Sequence, residues 1–282
     1  MNVGEALGRA RRALAQSSDS PAGDARRLVA EAIGRSTAWV LGHPEVRLDD
    51  PQAVWLDQAV ARCGAGEPLA YVLGWWEFYG RRFHVSPAVL IPRPETESLV
   101  ERVLGYLRSH PQAREVADVG TGSGCVAVTL ASEAPDVRIL AVDVSRSALE
   151  VARANARAHG VDGRIRWVQS DLLTSFRATW DVIVANLPYI PNPRLAHLEV
   201  ARYEPLVALD GGQDGLETVR RLADGLAGRL RPGGLAALEI DEGQGETLRL
   251  LLRSGFAAAE VRVEPDLSGL ERYVMVTNVD AR

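Results

Sequence analysis

The sequence predicts an α/β protein in which a mostly parallel sheet, covered by helices on both faces, follows a small all-helical region. Three observations support this prediction. From about residue 115 onward, short apolar runs alternate with segments of helical periodicity, as in strand–helix–strand units. Residues 1 to about 75 show helical periodicity alone. Between these regions, residues 76–90 place aromatic and β-branched residues around Gly80-Arg81, which is typical of a β-hairpin.

The N-terminal region predicts short helices and contains no catalytic grouping. Apolar residues recur at helical spacing from Ala6 to Leu14. Ser20-Pro21 offers a helix cap followed by a first-turn proline, and a third helix follows Asp50-Pro51. We expect residues 1–75 to form either a plain helical bundle or a helical domain that binds a partner.

A proline-rich segment separates the hairpin from the first long helix. Residues 91–97 read Ile-Pro-Arg-Pro-Glu-Thr-Glu, and the two prolines exclude a helix before Glu95. An amphipathic helix begins behind them. The chain is therefore divided into a helical domain of residues 1–75, a hairpin linker of residues 76–95 and an α/β domain of residues 96–282.

The α/β domain contains five apolar runs that predict strands of a parallel sheet, at residues 115–120, 138–144, 165–171, 180–186 and 234–240. Helical patterns lie between them, notably at residues 145–160 and 214–230. The segment of residues 258–279 predicts two further strands that pair antiparallel at the sheet edge.

Composition excludes several classes of protein. Hydrophobic residues make up 46% of the 282 residues and charged residues 24%, as in an ordinary protein with a sizeable core. The formal net charge of −5 gives no overall attraction for nucleic acid. Cys63 and Cys125 match no metal-ligand spacing, so we expect no metal site and a reducing, cytoplasmic environment. The charged N-terminus and the lack of a long apolar run predict neither a signal peptide nor a membrane span, and a monomer is expected.

A glycine-rich loop follows the first predicted strand of the sheet. It comprises Gly120, Thr121, Gly122, Ser123 and Gly124, directly before an apolar helical stretch. The dinucleotide fingerprint needs its third glycine one position later, where Cys125 stands. A Walker-type phosphate loop is excluded because the loop has no lysine. The spacing is instead typical of the S-adenosylmethionine loop of Rossmann-like methyltransferases.

Two acidic residues end the next predicted strands. Asp143 lies 23 positions after Gly120, close to the spacing at which an acid reaches ribose hydroxyls in nucleotide-binding sheets. The alternative is that it caps the helix that starts near Ser145. Asp171 either accepts a hydrogen bond from an adenine amino group, with Leu172 packed on the base, or caps a turn.

The predicted strand at residues 180–186 ends at Asn186 and is followed by Leu187, Pro188 and Tyr189. Together these residues suit a substrate with a planar NH2 group. Such a nitrogen is a poor nucleophile unless both of its hydrogens are held, so that its lone pair faces the methyl donor. The Asn186 side-chain oxygen supplies one acceptor, and the Leu187 carbonyl supplies the other. Pro188 restrains the residue before it, and Tyr189 lies against the planar group. Catalysis is then mainly positional.

Several motifs in order resemble one family. VLIPRPETESLV, DVGTGSG, VIVANLPYIP and ALDGGQDGL follow EFYGRRFHV and precede DLSGLERYV. From about Asp24 to Val276, the chain resembles the HemK-like release-factor glutamine methyltransferases. The resemblance implies a Rossmann-like, S-adenosylmethionine-dependent domain with a mostly parallel seven-stranded sheet, behind a helical domain used in substrate docking. It also implies methyl transfer to the side-chain amide nitrogen of the glutamine in the Gly-Gly-Gln motif of class 1 peptide chain release factors, which leaves S-adenosylhomocysteine as the product.

The resemblance also implies roles for individual residues. The loop from Gly120 to Gly124 would hold the methionine portion of the cofactor, and Asp143 the ribose. The segment from Asn186 to Tyr189 would hold the glutamine amide, with Asn186 next to the cofactor as well. Arg93, Pro94 and Glu95 would help to shape the substrate site. Asn186, Pro188 and Tyr189 are therefore the candidate catalytic residues.

Leu187 departs from the family pattern, which is usually Asn-Pro-Pro-Tyr. The backbone carbonyl survives this change, but the loss of a proline ring predicts a less restrained loop. Asn-Leu-Pro-Tyr also resembles the form in ribosomal-RNA adenine dimethyltransferases, so an adenine-N6 methyltransferase is one alternative. The net charge and the lack of a basic stripe disfavour it. A non-catalytic binding protein with the same fold is another alternative.

Gly211-Gly212-Gln213 reproduces within this chain the tripeptide that the family methylates. Self-modification is conceivable, but a tight turn with a chance glutamine is the simpler interpretation.

Overall fold

The computed structural model describes residues 1–256 and 259–278 of the chain. The chain divides into two compact units, Met1–Trp75 and Trp76–Arg282. Within the described ranges, no helix is long and apolar enough to cross a membrane.

The first unit lies wholly within the described residues and consists of five helices: α1 Val3–Ala13, α2 Pro21–Ile33, α3 Thr37–Gly42, α4 Asp50–Gly64 and α5 Leu69–Leu73. The periodicity of α1 is confirmed, since Ala6, Ala10 and the following Leu14 are almost completely buried. Ser20 makes no side-chain capping bond, contrary to expectation, although Pro21 does begin α2. The helices α3 and α5 are too short for periodicity to reveal them.

A β-hairpin begins the second unit, formed by β1 Trp75–Phe78 and β2 Arg81–His84. Its turn is Tyr79-Gly80 rather than the expected Gly80-Arg81, and both residues have positive φ, 52° and 67°. Two positive φ values are typical of the type I′ turns that match strand twist. The expected separate linker packs into the second unit, because Phe78 and Phe83 are buried in its core.

The remaining strands of the described residues are β3 Glu115–Val119, β4 Arg138–Asp143, β5 Ile165–Gln169, β6 Trp180–Asn186, β7 Leu230–Glu239, β8 Ala259–Pro265 and β9 Glu271–Asn278. They form one seven-stranded sheet in the order β5-β4-β3-β6-β7-β9-β8. Pairings from β5 across to β7 are parallel, and β9 is antiparallel to β7 and β8. This confirms the expected sheet and its antiparallel edge; positions 258 and 279 of the edge prediction lie outside the described residues.

The helices of the second unit, within its described part, are α6 Pro94–Ser109, α7 Cys125–Glu133, α8 Arg146–Ala158, α9 Asn192–Leu195, α10 Glu217–Leu226 and α11 Gly245–Gly255. Helix α6 begins at Pro94, one residue before the expected start, because a proline suits the first helical position.

Alternate residues of β6 point to opposite faces of the sheet, and both faces are covered. Val182 and Val184 join the core cluster under α6 and α7, whereas Ile183 and Ala185 join the cluster under α10 and α11. All four are at most 1% exposed. A strand buried on both faces reads as a continuous apolar run, which is why residues 180–186 were recognisable in the sequence.

Strand register brings the candidate site together. Val119, the last residue of β3, pairs with Val142 on one side and with Ala185 on the other. The chain order reverses between β3 and β6, and ligands of open α/β sheets bind at the carboxyl ends of strands at such a point. The glycine loop, Asp143 and Asn186 therefore meet at one edge.

Candidate active site

A pocket of about 430 Å³ opens at this carboxyl edge, entirely within the second unit. Most predicted site residues line it: Arg93, Gly120, Thr121, Gly122, Ser123, Asp143, Asp171, Leu172, Asn186, Leu187 and Pro188. Among the described residues, Gly124, Tyr189 and Glu95 are not part of its wall. The structure thus brings most of the cofactor and substrate candidates to one cavity.

The glycine loop is shaped by close packing on its two sides. A Cβ at Gly120, which has a φ of 75°, would lie 2.9 Å from Leu187 Cδ2. A Cβ at Gly124, with a φ of 78°, would lie 2.9 Å from Ala152 Cβ on α8. These two positions therefore need glycine both for conformation and for space.

Asp118, which sequence reasoning missed, braces the loop from below. Its Oδ2 accepts hydrogen bonds from Thr121 Oγ1 at 2.6 Å and from the Ala127 backbone N–H at 3.1 Å. Burial raises the pKa of the Asp118 carboxyl to about 7, and the two hydrogen bonds oppose this rise. Its place next to the end of a predicted strand was visible in the sequence, but its hydrogen bonds were not.

Asp143 does not cap α8; Ser145 does. The two carboxylate oxygens of Asp143 accept from backbone N–H groups, Oδ1 from Ser145 and Oδ2 from Gly122, each at 2.9 Å. Burial raises its pKa. Since each oxygen has a further lone pair, the carboxylate is held in place and still able to accept hydrogen bonds from a ligand.

Asp171 and Leu172 form the next part of the wall. The Asp171 carboxylate is exposed and pairs with the guanidinium of Arg221, which also lines the pocket. Leu172 is 7% exposed and has a φ of 51°. A non-glycine residue in this region is strained, and such strain clusters at ligand sites.

Asn186 is joined to two buried residues that sequence reasoning did not single out. Its Nδ2 donates to Thr96 Oγ1 at 3.0 Å, and Thr96 Oγ1 donates to Glu239 Oε2 at 2.7 Å. Thr96 and Glu239 are 2% and 1% exposed. Burial raises the pKa of Glu239 to about 7, opposed by the Thr96 hydrogen bond and the positive charge of Arg272. Thr96 lies in the proline-rich motif, but no local signal marks Glu239.

Leu187 is packed into the core of the second unit. It is 4% exposed and belongs to the core cluster that covers the α10 face of the sheet. The next residues are also held: Gln244 Nε2 donates to the Tyr189 carbonyl at 3.0 Å. Burial raises the pKa of the Tyr189 phenol, and the negative charge of Glu239 adds to this rise.

Arg93 is fixed by Glu204, another residue that sequence reasoning missed. The Arg93 guanidinium lies 2.5 Å from Glu204 Oε1, and the Ile91 backbone N–H donates to Oε2 at 3.1 Å. Glu204 is only 4% exposed, so its charge is paired in a desolvated setting. It ties the proline-rich segment to the loop after β6. Behind that segment, the Glu95 carbonyl accepts from the Tyr273 hydroxyl at 2.7 Å.

The Gly-Gly-Gln tripeptide of the chain is a structural turn. Gly211 N–H donates to the Ile190 carbonyl at 3.0 Å, and the Gly212 carbonyl accepts from Asn192 N–H at 2.9 Å. Both glycines are buried, whereas Gln213 is exposed. The tripeptide is therefore locked against the segment that follows the Asn-Leu-Pro-Tyr motif.

Comparisons with known proteins identify related domains, sequences and structures. The PrmC N-terminal domain matches residues 5–74, and the methyltransferase small domain matches residues 97–201. The chain is 42% identical over 275 residues to the release factor glutamine methyltransferase of Moorella thermoacetica, covering 96% of this chain and 97% of that protein. It is 46% identical over 230 residues to the release factor glutamine methyltransferase of Neisseria gonorrhoeae, and the match covers 78% of this chain and 80% of that protein. The ribosomal protein L11 methylase structure from Lactobacillus delbrueckii covers 68% of this chain and 82% of its own, at 21% identity and a TM-score of 0.51.

The fold, the matched methyltransferase small domain and the named relatives therefore define a methyltransferase. More narrowly, the chain belongs to the release factor glutamine methyltransferase family, as its resemblance in sequence implied.

Proposed function

We propose that this protein transfers a methyl group from S-adenosylmethionine to the side-chain amide nitrogen of the glutamine in the Gly-Gly-Gln motif of class 1 peptide chain release factors. The observation that carries the proposal is the Asn-Leu-Pro-Tyr segment beside the glycine loop, in a chain whose relatives bear that activity in their names. The adenine-N6 alternative finds no support in those relatives.

The pocket residues fit S-adenosylmethionine. Its volume of about 430 Å³ lies within the range of small-molecule sites. We assign the methionine portion to the loop from Gly120 to Ser123, the ribose to Asp143, and the adenine to Asp171 and Leu172. Asp143 suits its role because its position is fixed and its free lone pairs remain available. When bound, the cofactor supplies an electrophilic methyl group on a sulfonium.

The substrate half of the site holds a planar NH2 group. Asn186 Oδ1 and the Leu187 carbonyl are assigned as the two acceptors for its hydrogens. Engaging both hydrogens would fix the plane of the amide with its nitrogen facing the methyl donor, so the chain contributes orientation. The N–C bond would form as the C–S bond of the sulfonium breaks, and the nitrogen would then release one proton to solvent. Pro188 and Tyr189 restrain the segment that carries these acceptors.

We assign docking of the release factor to the helical unit of residues 1–75, which matches the PrmC N-terminal domain. Arg93 and Glu95, in the proline-rich segment, are assigned to the substrate side of the second unit.

The test is methylation of a purified release factor with labelled S-adenosylmethionine, with ribosomal RNA present as a competing substrate. Label should enter the factor and should disappear when its Gly-Gly-Gln glutamine is changed to alanine. Label in the RNA and not in the factor would overturn the proposal.

A further inference from the structure

Three polar side chains from three different elements are joined by two hydrogen bonds beside the pocket. Asn186 ends β6, Glu239 is its register partner at the end of β7, and Thr96 lies in the first turn of α6. The Asn186 Nδ2 to Thr96 Oγ1 distance is 3.0 Å, and that from Thr96 Oγ1 to Glu239 Oε2 is 2.7 Å.

The number of protons in this chain decides how the Asn186 amide must point. An ionised carboxylate can only accept, so the single Thr96 hydroxyl proton is donated to Glu239. The Thr96 oxygen can then only accept from Asn186, and only the NH2 end of an amide donates. Nδ2 therefore faces Thr96, and Oδ1 faces away from it.

We propose that Thr96 and Glu239 are positioning residues for methyl transfer, which hold the Asn186 side chain with its oxygen, and not its nitrogen, turned to the substrate amide. The inference rests on the proposed function for its substrate. If the Asn186 amide were rotated by half a turn, its NH2 group would face the NH2 group of the substrate glutamine, and two donors cannot form a hydrogen bond. The substrate nitrogen would then lose one of the two hydrogen bonds that orient it. Thr96 acts through Asn186, and Glu239 acts on Asn186 through Thr96.

Burial makes the relay specific. Thr96 and Glu239 are almost inaccessible to water, so no solvent molecule readily replaces either partner. Three further groups act on the pKa of Glu239: Arg272 and the Tyr189 hydroxyl lower it, and the charge of Glu95 raises it. Arg272 in turn faces Tyr189 and Asp241. Assays at about pH 8.5 keep its carboxyl ionised, above its raised pKa.

The first test is Thr96→Val, which keeps the shape of the side chain and removes the hydroxyl. We expect kcat for release-factor methylation to fall about tenfold or more, with S-adenosylmethionine affinity and KM changed less than about threefold. Thr96→Ser, which restores the hydroxyl, should recover most of kcat. Equal kcat in Thr96→Val and wild type would overturn the inference.

The second test separates orientation from general packing. Aspartate has two equivalent acceptor oxygens and needs no orientation, so Thr96→Val should change kcat by less than about threefold in an Asn186→Asp background. The same loss in both backgrounds would show that Thr96 acts by packing, and would reject the relay.

A third readout does not depend on activity. The side-chain NH2 of Asn186, assigned in 15N NMR spectra by its loss in Asn186→Asp, should exchange slowly in wild type and Thr96→Ser and faster in Thr96→Val. Unchanged exchange in Thr96→Val would contradict the inference, whether or not the protein methylates a release factor. Failure of the wild-type protein to methylate any release factor would reject only the proposed function.

Discussion

The two halves of the pocket are built in different ways. In the half assigned to the cofactor, Asp118 holds Thr121 of the glycine loop from three positions away, and Asp143 holds Gly122 from 21 positions away. The half assigned to the substrate depends on side chains from distant segments, with Thr96 and Glu204 separated from their partners by 90 and 111 residues. The glycine loop is thus specified largely by its own sequence, whereas the orientation of the Asn186 amide depends on residues from distant parts of the domain.

Asn186→Ala should give the largest effect and tests the substrate half alone. We expect kcat to fall about a hundredfold or more, because the acceptor that orients the substrate nitrogen is removed. Cofactor affinity, measured by calorimetry, should change by less than about threefold. A comparable loss of cofactor affinity would show that the two halves are not separable.

Asp143→Ala should have the converse effect on the cofactor half. Loss of the carboxylate removes the fixed acceptor and its bonds to Gly122 and Ser145, so the Kd for S-adenosylmethionine should rise about tenfold or more. At saturating cofactor, kcat should stay within about threefold of wild type. Asp143→Asn, which keeps the shape, serves as the matched control, and an unchanged Kd in Asp143→Ala would remove this residue from the site.

Leu187→Ala should affect stability more than catalysis. The leucine side chain is buried, so truncation should lower the free energy of unfolding by about 2–3 kcal/mol. The backbone carbonyl assigned to the substrate remains, so kcat should fall far less than in Asn186→Ala. Denaturant unfolding together with kinetics measures both quantities, and a hundredfold loss of kcat would show that the side chain itself positions the loop.

The smallest expected effect is a change in the pH dependence of stability when Asp118, which supports the glycine loop, is replaced. Asp118 has a folded-state pKa of about 7 against a reference of 3.8, so between these values the folded state holds a proton that the unfolded state has lost. Stability from this group therefore falls as pH rises through that window. Asp118→Asn keeps an acceptor for Thr121 and Ala127 but cannot ionise. Its melting temperature should rise relative to wild type between about pH 5 and pH 8, and no pH dependence of the difference would contradict the raised pKa.

Much of the second unit could be predicted because its strands are buried on both faces and read as uninterrupted apolar runs. The glycine loop, Asp143 and the Asn-Leu-Pro-Tyr segment were recognisable for a similar reason, since each follows such a run directly. The hairpin turn at Tyr79-Gly80 was misplaced by one residue because aromatic residues flank it on both sides. Helices as short as α3 and α5 have too few turns to show periodicity.

The sequence by itself determined which chemical groups this protein brings to a ligand: a glycine loop, an acid for the ribose, and an amide beside backbone carbonyls. These are local properties, set by residues within a few positions of one another. Only the tertiary structure decided how those groups point. Asp118, Glu204 and the chain from Asn186 through Thr96 to Glu239 are hydrogen-bonded pairings in a water-excluded interior. Such pairings depend on strand register and helix placement, which no short stretch of sequence contains.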